Sequence, residues 1–135
     1  MIADSHGFGL SAISSDTDVE LSDVRVSRTT PVECGSDTCP ELSAGTGLGA
    51  YAGAMLSVER FVIEEAALCG VHVALFGDLD LAGGIVSGCL IGACVQVEGY
   101  DIARLTGGVR YRDNRTQLDT TELPVPDPAT FPSSR

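Results

Sequence analysis

Short runs in which aliphatic and polar residues alternate dominate this chain. Val71, Val73, Leu79 and Leu81 fall on one parity and His72, Ala74, Asp78 and Asp80 on the other, the period-two pattern of strands with one face in a core. A glycine opens each strand-sized phrase: Gly9-Leu10-Ser11-Ala12, Gly47-Leu48-Gly49-Ala50, Gly70-Val71-His72-Val73, Gly92-Ala93-Cys94-Val95 and Gly108-Val109-Arg110-Tyr111. A second phrase follows the first three copies, as Val19-x-Leu21-x-x-Val24-x-Val26, Leu56-x-Val58-x-x-Phe61-x-Ile63, and Leu79-x-Leu81 with a weaker continuation to Val86. Gly47 and Gly70 are 23 residues apart, Gly70 and Gly92 22. That period is too short for two packed helices and sufficient for three short strands with their turns. No Leu-x-x-Leu-x-Leu-x-x-Asn phrase is present, so a leucine-rich repeat is set aside.

Stacking the copies predicts an inward column of Leu10, Leu48, Val71, Ala93 and Val109, and beside it Ala12, Ala50, Val73, Val95 and Tyr111. One such coil cannot bury its apolar side, but parallel coils ~4.8 Å apart carry the columns into a continuous interior. The expectation is therefore an all-β domain over residues 1–123, a right-handed parallel β-helix of about four to five short coils with period 22–23. Corners are expected at Ser22-Asp23, Glu59-Arg60, Ala82-Gly83 and Ala103-Arg104, three of them polar or glycine-containing as bends require. The 38 residues from Gly9 to Gly47 imply an inserted loop at 29–44, and the shortened interval from Gly92 to Gly108 implies termination, with a cap around Leu118 and Leu123. Residues 124–135, with four prolines in nine positions, read as an extended or disordered tail. A coil that begins almost at once exposes strand edges, so residues 7–26 are expected either to continue into upstream coils or to self-associate through this open end with another copy.

Composition narrows the partners. Nineteen acidic residues against eight arginines and no lysine give a net charge of −11, which leaves no concentrated cationic face for nucleic acid. No apolar stretch approaches the ~20 residues of a membrane helix. The opening Met1-Ile2-Ala3-Asp4-Ser5-His6 does not read as a basic block followed by an apolar one, so the expectation is that the chain either stays in the cytosol or is a piece of something longer. Asp16-Thr17-Asp18 begins like a calcium loop, but the glycine and distal glutamate do not follow at the required offsets. Gly45-Thr46-Gly47-Leu48-Gly49-Ala50 fits a dinucleotide fingerprint in letters only, because a repeated strand phrase follows it where a helix is needed. Neither a metal nor a cofactor is expected.

The outward parity of the stack supplies the candidate chemistry. One outer column runs Ser11, Gly49, His72, Cys94, Arg110 and the next Tyr51, Ala74, Gln96, Arg112, making Tyr51, His72, Gln96, Arg110 and Arg112 a candidate surface binding set. Regularly spaced amide, imidazole and guanidinium groups with an aromatic suit a polysaccharide or a protein surface. Cys94 lies over His72 in this reading, a pair that serves a nucleophile or half a metal site only with an orienting group and an oxyanion site beside it. Cys69 and Cys89 read as core packing. Cys34 and Cys39, five residues apart in the insertion, are a candidate disulfide if the chain is exported and free thiols if it is cytosolic. Glu20, Ser57 and Asp80 form an outward column with the two carboxylates ~9.6 Å apart, the upper edge of inverting-glycosidase geometry. An open wall gives no reason for their pKa values to separate, so no catalytic residue is assigned.

The phrases Leu21-Ser22-Asp23-Val24-Arg25-Val26, the Cys34/Cys39 insertion followed by Gly47-Leu48-Gly49-Ala50-Tyr51, Gly92-Ala93-Cys94-Val95-Gln96-Val97, and Gly108-Val109-Arg110-Tyr111 before Leu123-Pro124-Val125-Pro126 carry a resemblance. From about Leu21 to Pro126 the chain is similar to the C-terminal part of right-handed parallel β-helix repeat proteins, particularly predicted exported proteins and lipoproteins of myxobacterial type. The resemblance implies an extracellular or cell-envelope location and a non-enzymatic structural or binding module. The alternative it leaves open is the non-catalytic C-terminal portion of a carbohydrate-active β-helix enzyme.

Overall fold

The computed structural model describes residues 2–5, 8–30 and 45–119. Ten strands follow in chain order: β1 (Ile2–Ala3), β2 (Phe8–Ile13), β3 (Asp18–Thr29), β4 (Thr46–Tyr51), β5 (Met55–Ala66), β6 (Cys69–Ala74), β7 (Asp78–Ser87), β8 (Ile91–Gln96), β9 (Gly107–Arg112) and β10 (Thr116–Asp119), with one 3-10 turn at Ile102–Leu105. There is no α-helix among the described residues, and no helix long and apolar enough to cross a membrane. The Cys34–Cys39 pair, most of the expected insertion, and the proline-rich segment lie outside the described residues.

The strands form two five-stranded sheets, a long-stranded one ordered β1-β3-β5-β7-β9 and a short-stranded one ordered β10-β8-β6-β4-β2. Every neighbour is parallel and comes two strands away in sequence through β1 to β9. The chain thus alternates between the sheets, and each side chain has its counterpart one repeat along directly beside it. On the long sheet Val19 pairs with Leu56 and Leu56 with Leu79; Val26 pairs with Ile63 and Ile63 with Val86. On the short sheet Leu10, Leu48, Val71 and Ala93 are successive partners, as are Ala12, Ala50, Val73 and Val95. Those two columns are the ones the alternation predicts, and both end in residues buried in the core shared by the two sheets.

The fifth glycine phrase belongs elsewhere. Val109 pairs with Gly84 and Tyr111 with Val86, so Gly108–Tyr111 extends the long sheet, while the fifth member of the short-sheet column is Leu118, beside Ala93. The misassignment arises because both sheets use the same apolar alternation and the glycines do different work. Gly47 sits where a Cβ would lie 2.6 Å from the Gly70 carbonyl oxygen and 2.7 Å from Ile63, so the glycine permits the two walls to close. Gly108 instead bends the chain at φ 68°.

That bend recurs. Asp23, Arg60, Gly83 and Gly108 occupy successive positions with φ between 53° and 68°, directly after the register partners Ser22, Glu59, Ala82 and Gly107. The fourth corner is therefore Gly107-Gly108; Ala103-Arg104, expected there, lies in the 3-10 turn. A second left-handed column follows at Asp4, Arg28, Glu65, Gly88 and Asp113. Non-glycine residues adopt this region reluctantly, and at Asp4/Arg28 and Asp23/Arg60 the paired corners are also bridged by two-pronged ion pairs. These pairs are exposed and contribute little by themselves.

Candidate functional site

The two sheets differ in how their outer faces meet solvent. All six residues of β4 and of β6 are buried, so the short sheet is covered on both faces at these two strands, while Ser11 on β2 is exposed. This overturns the expectation that Tyr51 and His72 line an exposed wall: they retain 0% and 2% of their accessible surface. Period-two alternation distinguishes two faces of a strand, yet it does not say whether the second face is covered. Tyr51 lies over Gly49, where a Cβ would overlap its ring, and meets Phe8 edge-on with ring centres 6.0 Å apart.

Within this buried layer Tyr51, His72 and Gln96 form a chain of hydrogen bonds. His72 Nε2 is 2.5 Å from Gln96 Oε1 and its Nδ1 is 3.0 Å from the Tyr51 hydroxyl. With the amide oxygen accepting from Nε2–H, Nδ1 is left to accept from Tyr51 O–H, which fixes a neutral imidazole. Burial holds the His72 pKa below its ordinary value, against the opposing effect of the Gln96 bond, and burial likewise drives the Tyr51 phenol upward. Both groups are neutral at physiological pH.

Cys94 is the register partner of His72, as the stacking predicts, but it is no free thiol. It forms a disulfide with Cys69, Cα to Cα 6.0 Å, that ties β6 to β8. The expectation of Cys69 as simple packing and Cys94 as an outward thiol beside an imidazole is corrected accordingly. Cys89 is free and buried, and its thiol is pushed above its ordinary range by desolvation. Arg110 and Arg112 are exposed on β9 of the long sheet, beside Ile85 and Ser87. They share no column with Tyr51, His72 and Gln96, so the five residues do not make one surface.

The accessible wall is the long sheet. Glu20, Ser57 and Asp80 are successive partners there, and Ser22, Glu59 and Ala82 form the adjoining row. Together they line a groove of about 520 Å³ just before the left-handed corner. Arg104 holds one of the lining residues: its guanidinium grips Asp80 through Nε at 2.6 Å and Nη2 at 2.8 Å, and Asp78 through Nη1 at 2.7 Å. The Arg104 hydrogen bond holds the Asp80 carboxyl below its ordinary range, and Arg104 itself is raised. Tyr100 supports the clamp, its hydroxyl donating to the Leu79 carbonyl at 2.5 Å and accepting the Leu79 N–H at 2.8 Å, with the guanidinium carbon 5.3 Å from its ring centre. Asp80 is thus an ionised acceptor with its oxygens engaged, the opposite of the proton-holding carboxyl that glycosidic cleavage requires. No group of three metal-binding side chains occurs among the described residues.

Sequence reasoning missed the turn that precedes this groove on β7. Ala74–Gly77 and Tyr51–Ala54 are equivalent turns, closed by N–H to carbonyl bonds of 3.0 and 3.1 Å. Their central residues share left-handed dihedrals, 55° and 79° at Ala52-Gly53 and 53° and 61° at Leu75-Phe76. Phe76 is 85% exposed, with Leu75 and Met55 partly exposed as well. Aligning the chain on its period of 23 places Leu-Phe over Ala-Gly, and that contrast was the available signal.

Comparison with protein-family models, with curated proteins and with solved structures found no match.

Proposed function

We propose that this chain is a right-handed parallel β-helix module of the exported type, without catalytic activity of its own, that binds polysaccharide along the long-sheet groove. The observation that carries the binding assignment is the row Glu20, Ser57 and Asp80 at consecutive strand positions in an open groove. Hydroxyl and carboxylate groups repeated at the strand spacing match the repeated hydroxyls of an extended glycan, and the stacked strands hold them rigidly, which lowers the ordering cost of binding. The solenoid reading rests on two sheets that alternate along the chain with parallel neighbours two strands on. The exported location is supported by the Cys69–Cys94 disulfide, a bond that persists in oxidising compartments and is rare in reducing ones.

Affinity electrophoresis of the full chain through gels containing soluble polysaccharides tests the reading. Retardation by at least one glycan, reduced in Ser57→Trp, which fills the groove, is the expected result. Unretarded migration in every polysaccharide overturns it.

A further inference from the structure

Leu75-Phe76 pairs two unfavourable features in one turn. Bulky L-residues at positive φ are strained, and the equivalent turn one repeat earlier adopts the same dihedrals with Ala52-Gly53. A phenylalanine 85% exposed adds apolar surface that the fold does not use. Strain and exposure coincide beside the groove: Phe76 precedes Asp78 by two residues, Asp78 is the partner of Met55, and both Asp78 and Asp80 are gripped by Arg104. Met55, 41% exposed, shares the strand face of Ser57 two positions on.

We infer that Phe76 is the stacking platform for one pyranose ring of an uncharged polysaccharide whose adjoining residues lie over Ser57 and Asp80. The inference rests on the polysaccharide reading of the groove and adds the class of glycan. An aromatic face takes the apolar C–H face of a sugar, while carboxylates and a hydroxyl accept and donate to its hydroxyls. Charge sets the class. Glu20 and Glu59 line the groove and a single guanidinium serves both Asp78 and Asp80, so the local field is negative and a uronate or sulfate chain is repelled.

The test uses the full chain with soluble neutral glucan, mannan and xylan and with polygalacturonate as probes. Phe76→Asn relieves the left-handed strain, because asparagine tolerates that region, so the variant is expected to melt at a higher temperature and yet bind the neutral glycan about tenfold more weakly. Phe76→Tyr is expected to restore binding. Unchanged neutral-glycan affinity in Phe76→Asn, with loss only in Ser57→Trp, overturns the stacking platform and leaves the groove reading standing. Preference for polygalacturonate overturns the uncharged class, and loss of self-association without any loss of glycan binding reassigns Phe76 to a contact between copies. Absence of binding by the wild type to all four probes removes both readings.

Discussion

Cys69 is joined through sulfur to Cys94, and the bond bridges two neighbouring parallel strands whose residues are 25 apart in sequence. It restrains the unfolded chain across a whole repeat. Replacing both cysteines by alanine is expected to lower unfolding free energy by about 3 kcal/mol. Urea titration of the wild type with and without reductant, beside the double variant, measures it; a midpoint indifferent to reductant would contradict the cross-link.

His72 gives the fold a pH dependence. Its pKa is depressed in the folded chain relative to an ordinary value of 6.5, so the unfolded chain takes up a proton first as pH falls. The corresponding stability is present in full above that value and is lost as pH falls from it toward the folded pKa. The urea midpoint should therefore decline on acidification through the range just below 6.5, before the carboxylates titrate. His72→Gln should flatten that segment of the curve, and the difference between the two profiles is the quantity to measure.

Arg104 should matter for the groove more than for the fold. Arg104→Gln leaves Asp78 and Asp80 without their shared cation, and the loss of stability should stay near the ~1 kcal/mol of partly exposed pairs. The Asp80 carboxyl should titrate closer to its ordinary range, since the guanidinium bond that depresses it is gone. Carboxyl-detected NMR titration of the variant reads this directly; an unmoved Asp80 titration counts against the clamp.

The glycines should fall into two classes. Gly47→Ala forces a Cβ against the Gly70 carbonyl oxygen and Ile63, and a destabilisation of about 2 kcal/mol or more is expected from overpacking. At Gly83 nothing lies within 4 Å of the added Cβ, so Gly83→Ala should cost only the left-handed backbone, about 1 kcal/mol. Chemical denaturation of the two variants ranks them, and a larger effect at Gly83 would reverse the assignment of roles.

Much of the strand arrangement is legible in the residues because aliphatic alternation repeated at 22–23 positions leaves few ways to bury both phrases. Columns such as Leu10, Leu48, Val71 and Ala93 follow from that alone, and so does the row Glu20, Ser57 and Asp80. What escapes is whatever alternation does not encode. Gly108 and Gly92 look alike in letters, although one bends a corner and the other opens a short strand. His72 and Tyr51 are polar and out of phase with the core, yet they are buried, and their polar atoms are satisfied by each other and by Gln96. The Cys69–Cys94 bond required knowing which sulfurs converge, a matter of side-chain direction that spacing does not supply. Phe76 was overlooked because exposed turns are read for glycine and polar residues, and an apolar residue in one carries no periodic signature.

Among the described residues, neighbouring strands in either sheet are not adjacent in the chain, since Leu48 meets Val71 and Val71 meets Ala93 with a whole excursion through the other sheet between them. Among the described residues no hairpin is available to start assembly, so their first ladder requires closing a long loop before any backbone pairing rewards it. During synthesis about one full repeat must emerge before Ile2 and Val26, the first register partners, can meet. Afterwards each newly made segment finds a template already in place and adds to it at far smaller entropic cost, so maturation should proceed like a zipper running toward the C-terminus.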